Sequence, residues 1–183
     1  ALSSINQWTS RPRFWANLVT SAAGQVALAC NNSDESASDP LENISAVSDK
    51  MEGVVNFETG DFFFRIPINT FIFPSSLMQK HFNEKYMESD VYELATFKGR
   101  FLDNVYINID TTQMIFANGI LSIHGQEQNV NLKTELISKD NSVNFSSDFN
   151  VFLKDYKIKV PKIVRMNIAD TIAVNVAGSL IKK

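Results

Sequence analysis

The stretch Val143-Asn144-Phe145-Ser146-Ser147-Asp148-Phe149-Asn150-Val151-Phe152-Leu153 decides the fold class. Val143, Phe145, Phe149, Val151 and Leu153 fall on one parity, opposed by Asn144, Ser146, Asp148 and Asn150. That is the two-residue period of a strand with one face in an apolar core and the other in water. The same alternation recurs outward in both directions. Val130, Leu132, Thr134 and Leu136 alternate with Asn131, Lys133 and Glu135, and Ile172, Val174, Val176 and Leu180 share another face. Val105, Ile107 and Ile109 against Asn104, Tyr106, Asn108 and Asp110 predict one more strand. In the denser run Phe62 to Ile68, Phe62, Phe64, Ile66 and Ile68 share a face, and Pro67 suits a strand end or edge.

Turn signals break the chain at short intervals: Glu58-Thr59-Gly60-Asp61, Asn118-Gly119, His124-Gly125-Gln126 and Lys139-Asp140-Asn141. Such spacing fits an antiparallel barrel or sandwich whose consecutive strands are hairpin neighbours. One segment departs from it. Ser76 with Gln79 has the spacing of a capping box, and Met78, Phe82 and Tyr86 recur every fourth residue, which predicts a single short helix over 76–86. The polar run Asn31 to Pro40 predicts a mobile loop.

Composition narrows the function. The 183 residues carry 17 Lys+Arg against 20 Asp+Glu, a formal charge of -3, so there is no general basic field to hold nucleic acid. The 14 Phe, with abundant Val and Ile, supply the apolar surface that folding requires. No window reaches the length of an apolar membrane span. With one Cys and two His, the chain has no internal disulfide and no recognisable zinc spacing. Charge is uneven along the chain: residues 31–60 hold seven acids against Lys50, and from Phe149 onward seven bases face Asp155 and Asp170. These blocks read as solvated surface, with a basic rim for an anionic head group as the functional alternative.

Near the start, Arg11 and Arg13 precede a moderately apolar run that ends Ala27-Leu28-Ala29-Cys30, the outline of a lipoprotein export signal with Cys30 acylated. Asn17, Thr20, Ser21 and Gln25 interrupt that run, and a helix or first strand of the folded domain is the stronger reading. A nucleophile elbow, a phosphate-cradling glycine loop and a zinc-protease helix are all absent from the sequence. His81 on the helix and His124 at a strand end read as structural, and Cys30 as an inert thiol. A barrel of about eight strands either fills with side chains or holds one small ligand, and alternation alone does not separate the two.

The succession of Pro40-Leu41-Glu42-Asn43-Ile44-Ser45-Ala46, Gly53-Val54-Val55-Asn56, Phe62 to Ile68, Leu77 to Asp90 and Ala95-Thr96-Phe97-Lys98-Gly99 resembles the YceI-like family. So do Gly119-Ile120-Leu121-Ser122-Ile123-His124-Gly125 and Phe149 to Pro161. The likeness runs in order over about residues 40–180, leaving residues 1–23 as an N-terminal segment and 24–183 as the barrel domain, with a first strand over Gly24 to Ala29. Tyr92-Glu93-Leu94 departs from the tyrosine-proline of the family pattern.

The resemblance implies a mainly β, lipocalin-like, extended antiparallel barrel. It implies binding of an isoprenoid lipid, such as a quinone or prenyl lipid, without catalytic residues or cofactor. A periplasmic or secreted location and a homodimer are implied with it. Strand parity then sets Phe62, Phe64, Ile66, Val105, Ile107 and Leu121 on the lumen side. Ile123, Leu132, Phe145, Phe149, Val174 and Val176 join them, Met78 and Phe82 close one end, and His81 is the head-group candidate. The competing readings are a solidly packed barrel that serves as an interaction domain, and an enzyme acting on such a lipid through His81 or His124.

Overall fold

A computed structural model describes residues 19–30, 44–140, 142–159 and 170–181. Eight strands follow one another around a ring: β1 (Val19–Cys30), β2 (Ile44–Asn56), β3 (Asp61–Pro67), β4 (Leu94–Phe101), β5 (Thr111–Ile123), β6 (Gln126–Lys139), β7 (Ser142–Phe152) and β8 (Thr171–Ile181). Each is antiparallel to the next, and β8 returns to pair with β1, so the barrel is closed, although β6 and β7 pair only between Thr134–Lys139 and Ser142–Ser147. β1 reaches back to Val19, ahead of the Gly24 start expected from sequence. Cleavage before Cys30 would delete this strand, which joins β2 to β8. The expected 31–40 loop lies outside the described residues, as does most of the basic stretch around Lys162 and Arg165.

Inward parity holds along most strands. On β5 the odd residues Ile115, Ala117 and Leu121 are buried, and on β6 the even residues Thr134, Leu136 and Ser138 are. β2 needs a correction midway. Its register with β1 shifts between Gly24↔Met51 and Val26↔Ser48, placing one extra residue on β2 at Asp49-Lys50. This bulge switches the inward parity, so that Ala46 and Ser48 before it and Met51 and Val55 after it are all buried.

Turn chemistry sets the connections. Asn56 Oδ1 accepts the N–H groups of Glu58 (2.9 Å) and Thr59 (3.2 Å), and Gly60 turns the chain into β3 at φ 78°. His124 and Gly125, both at positive φ (51° and 68°), form the two-residue hairpin between β5 and β6. Asp140, at φ 49°, follows the end of β6 at Lys139.

Three expectations are overturned. Asn118-Gly119 is no turn but lies inside β5, where Gly119 faces Gly99 of β4, and a β-carbon on either would overlap the partner strand's backbone. Glycine marks a close strand approach here, not a reversal. Residues 104–110 form no strand: pairing of β4 ends at Phe101↔Ala117, and the chain then crosses the barrel's end. Asp103 Oδ2 accepts Phe116 N–H (2.7 Å), and Gln113 brackets the Tyr106 backbone with two hydrogen bonds (2.9 and 2.6 Å). Val105 and Ile107 turn onto the core while Ile109 is exposed, an alternation that an extended cover produces as readily as a strand.

The third correction concerns the helix. α1 (Ser76–His81) continues as a π-helical turn over Phe82–Tyr86, so the expected span is helical throughout. Its cap, however, is Ser75, whose hydroxyl accepts Met78 N–H at 3.5 Å, and Gln79 Oε1 instead accepts the N–H of Phe73 at 3.0 Å. The anticipated capping box does not form: the cap lies one residue earlier, and its third helical residue, Met78, has no acceptor to return.

Candidate functional site: the barrel lumen

The connections divide the barrel into two ends. The 57–60 turn, the 102–110 cover and Asp140 stand at one, hereafter the far end. The helix, the His124 hairpin and the 153–159 segment stand at the other, the helix end. At the far end Val55, Ile115, Leu136 and Val143 are no more than 2% exposed. Ser138 Oγ donates to the Ile107 carbonyl at 3.2 Å and ties the cover down.

Toward the helix end the interior opens into a cavity of about 200 Å³. β-Strand residues including Val26, Ile66, Leu132, Phe149 and Val174 form its wall, and Phe71, Phe82, Met87 and Ile158 form its roof. The lining is almost wholly apolar. Arg65, Thr96, Thr134 and Ser147 are its polar exceptions; Thr134 and Ser147 pair across β6 and β7, and Ser147 Oγ donates to the Lys133 carbonyl at 2.8 Å.

Of the residues named from parity, Phe62, Phe64, Ile66, Leu121, Ile123 and Leu132 border this cavity. So do Phe145, Phe149, Val174, Val176 and, from the helical segment, Phe82. Phe82 is held between Phe71 (ring centroids 5.9 Å apart) and Phe73 (4.8 Å). Four named residues are elsewhere. Val105 and Ile107 pack against the core from the far-end cover and do not border the cavity. Met78 is half-buried and off the lumen, because the helix makes barely two turns before the π-turn at Phe82 changes its period. His81 also lies off it, with Nε2 3.2 Å from Lys85 Nζ, one helical turn along the surface.

The buried imidazole at the helix end is His124, 9% exposed. Its Nδ1 donates to the Tyr156 carbonyl oxygen at 3.1 Å, its Nε2 lies 3.0 Å from Glu88 Oε2, and its ring rests on Tyr92 at 4.4 Å between centroids. One side chain thus joins the β5–β6 hairpin, the end of the helical segment and the turn after β7. Burial pushes the Tyr156 hydroxyl up to about 12, with the nearby Asp155 carboxylate adding to the shift. Asn83 Oδ1 is buried without a hydrogen-bond partner among the described residues. Of the lining residues that parity did not name, Phe71, Met87 and Ile158 sit in connections, where no strand period exists to reveal them, whereas Val26, Met51 and Phe97 line the cavity from β1, β2 and β4.

Among the described residues no group of His, Cys, Asp or Glu is placed to hold a metal, and no helix is long and apolar enough to cross a membrane. Both histidine rings are engaged by neighbouring groups of the protein itself.

The fold has solved counterparts. A polyisoprenoid binding domain from Saccharophagus degradans implicated in plant cell wall breakdown superposes with a TM-score of 0.73 at 10% identity, over 92% of this chain and 100% of its own. Burkholderia cenocepacia BcnA gives 0.67 at 12% identity, over 86% of this chain and 95% of its own. The Campylobacter jejuni YceI protein gives 0.63 at 13% identity, over 84% and 92%. No curated protein sequence matches the chain. The family model of the YceI-like domain matches residues 31–180, and the chain with its closed eight-stranded barrel belongs to that family.

Proposed function

We propose that this protein binds a long apolar lipid of the isoprenoid type, a quinone or prenyl lipid, in the helix-end lumen, and carries or sequesters it without chemical change. The observation that carries this reading is the apolar cavity. A void of about 200 Å³ among apolar side chains forfeits on the order of 5 kcal/mol of packing. A branched hydrocarbon tail restores those contacts, and each buried methylene contributes about 0.8 kcal/mol. Water does not serve in its place, because so few lining groups offer it hydrogen bonds. The polyisoprenoid binding domain from Saccharophagus degradans supports the choice of lipid class. A periplasmic or secreted site of action, and a homodimer, complete the proposal.

Calorimetric titration with a prenyl quinone at several temperatures tests it. Saturable binding with a negative heat-capacity change is the expected result, since that change marks burial of apolar surface. A titration with no saturable signal at any temperature would refute the reading. Incubation followed by extraction tests the non-enzymatic part: the lipid returns unchanged, and a modified product would contradict it.

A further inference from the structure

Two phenylalanines meet across the lumen. Phe64 stands on β3 and Phe145 on β7, and in the closed order of eight strands these are opposite walls, four steps apart by either route. Yet their ring centroids are 5.5 Å apart at an interplanar angle of 51°. The contact therefore bridges the interior. Phe62 extends it sideways, 5.9 Å from Phe64, 4.8 Å from Phe97 and 5.3 Å from Phe101.

The neighbouring strands make room for both rings. Gly53 of β2 is the register partner of Phe64, and Gly178 of β8 is the partner of Phe145. A β-carbon at Gly53 would overlap the Phe64 ring, and one at Gly178 would fall 2.7 Å from Phe145 Cζ. Each ring thus rests on bare backbone, and that backbone fixes where the ring lies. Beyond the rings the cavity reaches Val55, Leu136 and Leu180 and stops at Ile115 and Val143, which are buried but do not border it.

We propose that the Phe64–Phe145 pair is a crossbar that sets the length of isoprenoid tail the barrel accepts. This rests on the binding function proposed above. A tail entering from the helix end buries successive units along Phe149, Val174 and Ile66 until it meets the two rings. Units beyond that point stay in water and add no affinity. Shortening either ring widens the way past the crossbar to the part of the same cavity near Val55, Leu136 and Leu180 and admits a longer tail.

The test is a ladder of all-trans prenols from farnesol to solanesol, lengthened one unit at a time, titrated against wild type, Phe64→Leu, Phe145→Leu and the Phe64→Ala/Phe145→Ala double variant. Wild-type affinity should rise roughly tenfold or more per added unit and then level at a break. Each shortened ring should move the break to longer chains, by about one unit for the double variant. Phe64→Trp should move it to shorter chains. Phe152→Ala, on the outer wall with the ring 47% exposed, should leave the break in place. The leucine variants guard against a double variant that does not fold, and thermal melts confirm folding of each protein. Prenols that bind with an unmoved break in folded variants would overturn the crossbar alone. Prenols that bind none of the proteins would overturn the binding function and the crossbar with it.

Discussion

The far end and the helix end of this barrel are built from the same alternating strands, yet one is sealed by packed side chains and a cover while the lumen opens toward the other. At the far end Ile115 and Val143 are buried outside the cavity, Val55 and Leu136 border its floor, and Val105 and Ile107 of the 102–110 cover pack against the same core. At the helix end the strand residues stand back around the cavity, and the roof is made by connections, with Phe71, Phe82, Met87 and Ile158. Stability and ligand capacity are thereby separated along one axis. The far end carries the close packing that folding requires, and the helix end is relieved of it.

Ile115→Ala should break that comparison most visibly. It removes a fully packed side chain that does not border the cavity, and should cost about 3 kcal/mol in denaturant unfolding while prenol affinity in the folded fraction stays unchanged. A loss of affinity in the folded protein would mean that the two ends are coupled.

The helix end should show itself at alkaline pH. Burial raises the Tyr156 hydroxyl to about 12 in the folded protein, above its ordinary value of 10.0. The neutral phenol is therefore favoured by folding. Its contribution is complete below about pH 10 and is lost as pH rises toward 12, up to about 2 kcal/mol in all. Tyr156→Phe should flatten the stability profile over that window, as equilibrium unfolding at successive pH values would reveal. A slope as steep as wild type would contradict the assignment.

Phe149→Trp and Phe64→Trp enlarge side chains that face the cavity. Both should lower lipid occupancy about tenfold or more while changing stability by no more than about 1 kcal/mol, because the cavity absorbs the added volume. Lipid occupancy equal to wild type in folded protein would remove those positions from the site.

The smallest effect belongs to the far-end turn, where Arg100 Nε donates to Asp61 Oδ1 at 2.9 Å. That hydrogen bond, aided by Thr59, holds the Asp61 carboxyl below its usual range. Its contribution is present at neutral pH and is lost as pH falls through the depressed value, and solvent screening keeps it small. Asp61→Asn should slightly soften the acid limb of the stability curve and leave the alkaline limb untouched.

The barrel was legible in the sequence because strands such as β6, β7 and β8 are half-buried, and half-burial writes the two-residue period directly into residues such as Val143, Phe145 and Val151. The same period misread 104–110, since a segment stretched over an apolar end also alternates. Asn118-Gly119 misled because glycine answers to two needs, reversal and close approach, and only the pairing with Gly99 distinguishes them.

For the lumen, parity named wall residues on β3, β5, β6, β7 and β8 but none on β1, β2 or β4, and none of the roof residues Phe71, Met87 and Ile158, where side-chain direction depends on tertiary packing. His124 was visible as a turn residue. Its place between Glu88 and the Tyr156 carbonyl joins residues more than thirty positions apart, which no local pattern encodes.

The measurement that bears most directly on the hollow helix end is native mass spectrometry of protein purified without detergent from a bacterial host, followed by organic extraction of whatever it carries. The account predicts a stoichiometric apolar adduct of prenyl type, diminished in Phe149→Trp. A bare polypeptide mass that persists after incubation with quinones and prenols would contradict it.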